Sequence, residues 1–373
     1  MNPAPETRLA FLDSLRGLAA AWVVFFHLIY IPSPRLQTPD WAWPWASIGG
    51  QGVTLFFMVS AFSLCYTMPL HRREAAPLRS FYGRRFFRIA PLFYAMLVFT
   101  LWRDLRMGWD PHSPASIAES VLFVFNLVPG EQSGFVWASW TIGAEMLFYL
   151  VFPLLYRWTN SVNRACVLYA VSVVIAVAFK LALDKIGAAD FFTMSVLHHL
   201  PIFALGIAAF RLYEQFALFG ARRRAWLTLL GAILLSQALA MIAAPLLGTT
   251  YYLQGPRYLL LMLLLAFVPV GLVVNRVTTY LGKLSYSLYL IHPALIFALV
   301  PAYRSIYAWD TPLSVRYIAV AVLTFGLLTA LSALTYRMIE APGMRFGKRL
   351  ALAIPKLPRT ALEPVEAEAR EKV

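Results

Sequence analysis

The chain has 373 residues, of which 60% are hydrophobic and only 13% are charged. Mean hydropathy is +0.66. That composition excludes an ordinary water-soluble domain and fits many apolar stretches of roughly 17–25 residues, each enough to cross a bilayer core. The net charge of +14 accompanies no nucleic-acid motif, and basic loops that set membrane orientation account for it. The two cysteines, Cys65 and Cys166, have no metal-ligand spacing, so neither a metal site nor a disulfide is expected.

In chain order the apolar segments fall near 9–31, 47–68, 88–107, 116–128, 137–156, 165–183, 193–212, 226–246, 257–274, 280–302 and 315–338. The first lacks a small-residue cleavage site and reads as a retained span, not a removed signal peptide. Segment 116–128 is too short to cross unaided. If it does cross, Arg222, Arg223 and Arg224 face outward. If it is re-entrant or interfacial, these arginines share one side with the cluster Arg84–Arg88, with Arg157, Arg164, Arg211 and Arg276, and with the basic stretch 337–349. The second arrangement obeys the positive-inside bias. The fold expected is therefore all-α: a polytopic membrane protein with about ten transmembrane helices, one short re-entrant or interfacial segment and both termini cytoplasmic. Residues 1–8 form a cytoplasmic N-terminus, 9–350 a single membrane domain and 351–373 a disordered tail. The loops leave no room for a soluble catalytic domain.

Three groups of residues carry chemistry. In the first span Arg16 and His27 lie eleven positions apart. That is close to three helical turns, so they share a face, separated by roughly 16 Å along the axis. Ionisable groups within a membrane mark pathways or reaction sites. The alternative is a snorkelling arginine and a histidine bonded to a neighbouring helix. In the fifth segment Glu145 is alone in an apolar stretch. Its depth is close to that of His27, which suits a base and its orienting carboxylate if the two helices are neighbours; a structural ion pair with an arginine is the rival. At the start of the third segment Arg84, Arg85 and Arg88 form a basic cluster in which Arg85 and Arg88 share a helix face. Paired guanidinium groups bind phosphate, although topology and lipid headgroups explain the same cluster. In the tenth segment His292 precedes Pro293, which frees a carbonyl one turn earlier, and a histidine satisfied by that carbonyl is expected. His198 and His199 are adjacent, so they diverge on a helix and do not make a metal site.

In their order these residues resemble the membrane acyltransferase-3 family. The resemblance runs through Leu12-Asp13-Ser14-Leu15-Arg16-Gly17 to His27, Gly52 to Ser60, Arg85-Phe86-Phe87-Arg88, Trp140 to Glu145 with Phe148, Tyr149 and Pro153, His199 to Gly206, Leu281 to Pro293, and Tyr336 to Pro342. Two positions depart from it: Thr54 stands where an aspartate is usual, and Ala61 where a serine–glycine pair is usual. The chain resembles the stand-alone form, without a fused extracytoplasmic hydrolase-like domain.

The resemblance implies an O-acyltransferase that moves an acyl group, usually acetyl, from cytoplasmic acyl-CoA to a hydroxyl of a sugar-containing acceptor such as a surface polysaccharide or lipid-linked glycan. Expected partners are acyl-CoA, a carbohydrate or glycolipid acceptor and the bilayer of the cytoplasmic (inner) membrane. No metal and no nucleic acid are expected. On this reading Arg85, Arg88, Arg84 and Arg16 hold the donor, His27 acts as base and Glu145 orients it; a covalent acyl-histidine stays open. The rival class is a transporter or flippase for a lipid-linked sugar, and a third is a non-catalytic scaffold. Aromatic residues of the outer loops, Trp41, Trp109 and Trp309 among them, suit both sugar stacking and an interfacial belt.

Overall fold

The computed structural model describes residues 9–72, 74–218 and 251–352. Among these residues the structure is helical and contains no strand. The helices are α1 (Ala10–Tyr30), α2 (Trp43–Ala46), α3 (Gly52–His71), α4 (Pro77–Met107), α5 (Pro114–Val121), α6 (Trp140–Trp158), α7 (Val162–Lys185), α8 (Val196–Leu218), α9 (Tyr251–Phe267), α10 (Arg276–Tyr307) and α11 (Leu313–Thr335). A π-helical turn, Tyr336–Glu340, joins α11 to α12 (Ala341–Leu352).

Seven helical stretches are long and apolar enough to cross a membrane: Ala10–Tyr30, Trp43–His71, Pro77–Met107, Val162–Lys185, Ala189–Ala217, Arg276–Tyr307 and Leu313–Leu350. The chain is thus a multi-pass integral membrane protein. Helix α9 is apolar but shorter, and the expected span 226–246 lies outside the described residues. In the expected short segment, α5 has eight residues. Such a helix measures only about 12 Å and cannot cross a bilayer core of about 30 Å. Helix α4 begins eleven residues before the expected apolar segment 88–107, so Arg84, Arg85 and Arg88 belong to the spanning helix itself.

Helices α1 and α3 are mostly buried, whereas only a minority of the residues of α7 and α11 are. The exposed side chains of α7 include Val167, Val171, Val174 and Leu181, and those of α11 include Ile318, Val322 and Leu331. Apolar and facing away from the protein, they suit lipid. The buried core is aromatic and aliphatic, with Phe62, Phe81, Phe93, Phe148, Phe152 and Phe203 fully enclosed.

One crossing sets the site. A Cβ on Gly17 would lie 2.6 Å from both Gly282 N and Thr278 O, and one on Gly282 would overlap the Asp13 carbonyl. Helices α1 and α10 therefore touch backbone to backbone, as small residues permit within membranes. Thr278 Oγ1 donates to Ser14 Oγ at 3.0 Å just before this crossing. Residue numbers rise together on both helices, so the two run in the same direction.

Candidate active site

Helix α3 carries a polar ladder, Ser60, Ser63 and Thr67, whose spacing keeps all three near one face. Each rung holds a charged residue from another helix. Ser63 Oγ accepts from Arg16 Nη2 of α1 at 2.6 Å. Thr67 Oγ1 accepts from Arg85 Nη2 of α4 at 3.0 Å. Ser60 Oγ donates to Glu145 Oε1 of α6, which also accepts from the Tyr149 hydroxyl. Three of the residues singled out in the sequence are thus gathered by one helix of small hydroxyls.

Arg16, Arg85 and Arg88 line one cavity of about 470 Å³, together with Asp13, Lys283 and Glu340. Asp13 is within 3.5 Å of Arg16. The charges of Arg85 and Arg88 both act on Arg16, so three guanidinium groups repel one another across this cavity. Arg85 Nε is buried without a hydrogen-bond partner. Glu340 arrives through the π-helical turn, accepting from Ser287 Oγ. Arg84 does not line this cavity; it pairs with Glu74.

A second cavity, of about 690 Å³, is lined by His27, Arg103, Asp104, Trp109, His112 and Trp137 among others. The two cavities share no lining residue. A void of only about 20 Å³, lined by Phe56, Thr141, Glu145, Tyr286 and Tyr289, lies between them. Position along the helices establishes that order. On α10 the sequence runs from Gly282 and Lys283 in the arginine cavity, through Tyr286 and Tyr289, to Pro293 and Phe297 in the histidine cavity. The rings of Phe56 and Tyr289, 5.9 Å apart, both line this void. The Tyr289 hydroxyl accepts from Thr141 Oγ1 at 2.9 Å.

In the histidine cavity the charges cancel. Arg103 Nε donates to Asp104 Oδ1 at 2.7 Å, and His112 Nε2 lies 2.9 Å from Asp104 Oδ2. The Arg103 guanidinium stands 4.1 Å from the ring of Trp137 and 5.1 Å from that of Trp109, at distances suited to cation–π contact.

His27 does not meet Glu145. The carboxylate is taken by Ser60 and Tyr149, and His27 meets His292 of α10: His292 Nε2 lies 3.0 Å from His27 Nδ1. His27 Nδ1 also lies 3.0 Å from the Val23 carbonyl, and His292 Nδ1 lies 2.6 Å from the Tyr289 carbonyl. Pro293 has no N–H to occupy that carbonyl, so the expected capture of the His292 ring by a freed carbonyl is present. The pairing itself has a trace in the sequence. His27 follows Gly17 by ten residues and His292 follows Gly282 by ten. Two helices that touch at the glycines and run in parallel meet again at the histidines.

Comparisons with known proteins place the chain in a family. The family model described as "Acyltransferase domain" matches residues 9–337. The chain is similar to "Acyltransferase MdmB" of Streptomyces mycarofaciens, 27% identical over 174 residues, which are 43% of this chain and 42% of that protein; this chain thus spans less than half the length of that relative. It is also similar to "Putative acetyltransferase ORF330" of Acidianus two-tailed virus, 26% identical over 293 residues, 75% of this chain and 81% of that one. No solved structure matches. With the family model covering residues 9–337, most of its length, the chain belongs to the acyltransferase-domain family.

Proposed function

We propose that the protein transfers an acyl group from acyl-CoA to a hydroxyl of a sugar-containing acceptor across the cytoplasmic (inner) membrane. The observation that carries this reading is one pair of parallel helices that runs from a cavity of guanidinium groups at one end to a histidine pair at the other. The arginine cavity faces the cytoplasm. Support comes from the basic residues collected at that end, Lys283, Arg337, Arg345 and Lys348, which on the positive-inside bias also place both termini there. Arg85 and Arg88 bind the phosphates of the donor by charge-assisted hydrogen bonds, and Arg16 stands where the pantetheine arm enters the passage. The arm passes Tyr289 and Glu145 and brings the thioester to His27, roughly 16 Å from Arg16 along α1.

The acceptor comes from the opposite face into the histidine cavity. His27 Nε2 takes the proton of its hydroxyl while the oxygen attacks the thioester carbonyl. The carbon–sulfur bond breaks, and the departing thiolate receives the proton from His27. Positioned base catalysis of this kind contributes about 10²–10⁴-fold. An acetyl group is the simplest cargo, supported by the name of the viral relative and by the narrow passage.

The test is to incubate labelled acetyl-CoA with membranes holding wild type or His27→Ala and to trace label into extracted glycans. Label that depends on His27 is the expected result. Equal label in both overturns the assignment. A transporter of lipid-linked sugar, the rival reading, would move its cargo without consuming acyl-CoA.

A further inference from the structure

His292 lines neither the arginine nor the histidine cavity; it is fully buried and meets His27. Its contacts nevertheless leave one consistent pattern of protons for a neutral pair. A carbonyl oxygen only accepts. The Tyr289 carbonyl at 2.6 Å therefore takes the N–H of His292 Nδ1, and the neutral ring keeps a lone pair on Nε2. The Val23 carbonyl at 3.0 Å requires an N–H on His27 Nδ1. That N–H also points at His292 Nε2, 3.0 Å away, so this nitrogen–nitrogen contact is a hydrogen bond from His27 to His292. The remaining nitrogen of His27, Nε2, then carries a lone pair and has no partner among the described residues. His27 lines the cavity, and its Nδ1 edge is turned into the protein.

We infer that His292 is the positioning residue of the reaction: it holds His27 in the tautomer whose Nε2 is the base, and its own Nε2 lone pair stabilises the His27 cation when that base is protonated. This rests on the acyl-transfer reading above. When His27 Nε2 receives the acceptor's proton, the ring carries two N–H groups and one positive charge. The Nδ1–H stays shared between the Val23 carbonyl and His292 Nε2, and the His292 lone pair stabilises the imidazolium until the proton on Nε2 passes to the leaving thiolate, so no proton is gained or lost. The part resembles that of the carboxylate in a catalytic triad, which fixes the imidazole tautomer and stabilises its cation. A histidine performs it here without placing a fixed negative charge inside the membrane.

Two measurements test this, one of them independent of activity. Nitrogen-15 solid-state NMR of the histidine-labelled full chain reads tautomers directly, and the His27 signal is the one missing from His27→Ala. A neutral His27 protonated at Nδ1 is expected; protonation at Nε2 overturns the inference. The second measurement is thiol release from acetyl-CoA by membranes holding each variant, with the His27→Ala rate subtracted. His292→Leu should lower kcat by about 10-fold or more, a part of what a positioned base supplies, while KM for acetyl-CoA stays within about twofold because donor binding is untouched. His292→Gln, whose amide oxygen can accept from His27 Nδ1, should recover most of that loss. An unchanged rate in His292→Leu overturns the inference, as does a Gln variant no better than Leu. If wild type itself shows no rate above His27→Ala, acyl transfer at His27 is what fails, and the tautomer measurement still decides the role of His292.

Discussion

The two cavities solve opposite electrostatic problems on the same helices. Three guanidinium groups line the arginine cavity; Arg16 is held by Ser63 and the nearby Asp13, and Arg85 by Thr67. Hydroxyls satisfy donors but neutralise nothing, so an anion entering this space gains from charges already gathered. In the histidine cavity Arg103, Asp104 and His112 pair off, and His27 lines the same space. On the proposed reading, one end attracts a charged ligand, and the other moves a proton beside an Arg103–Asp104 pair. The difference teaches that the buried ionisable residues of this chain are two machines with separate tasks, joined by α1 and α10.

The comparison breaks most visibly at His27. His27→Ala should remove transfer by a factor of about 10²–10⁴ while thermal stability changes little, read by label incorporation and by a melting curve in detergent. At the other end, Arg85→Ala or Arg88→Ala should raise the KM for acyl-CoA by about 10–100-fold with kcat nearly retained, since a charge-assisted hydrogen bond contributes about 1.5–3 kcal/mol. An unchanged KM would return these arginines to topology alone. Gly282→Ala should damage both ends together. Its methyl overlaps the Asp13 carbonyl and forces α1 from α10, at about 1–3 kcal/mol of stability; an unshifted melting temperature would refute the backbone contact. The smallest effect is expected at the mouth of the histidine cavity. Trp137→Leu removes a ring 4.1 Å from the Arg103 guanidinium, a contact of about 0.5–2 kcal/mol. It should weaken acceptor capture several-fold and leave the KM for acyl-CoA untouched, which separate titrations of donor and acceptor would check.

Much of this is legible in the amino-acid order. Arg16 and His27 share a face because helical periodicity is local, and eleven residues close nearly three turns. Segment 116–128 is too short to cross, and its helix has eight residues. Arg85 and Arg88, three positions apart, line the same cavity, whereas Arg84 pairs with Glu74. Consecutive residues on a helix diverge, which by itself separates Arg84 from Arg85.

The partner of His27 is not legible in the same way. Depth points to Glu145, and depth does not say which helices are neighbours. The structure seats Glu145 on Ser60 and Tyr149 and brings in His292. The equal ten-residue steps from glycine to histidine on α1 and α10 acquire meaning only once those glycines are in contact. The sequence by itself determined the membrane class, the all-helical build and the face each charged side chain takes on its own helix, because hydropathy and the 3.6-residue turn act within one segment. Tertiary structure alone decided which faces meet. Within a membrane that choice rests on close packing of small residues and on hydrogen bonds between helices, and both exist only when segments far apart in the chain have come together.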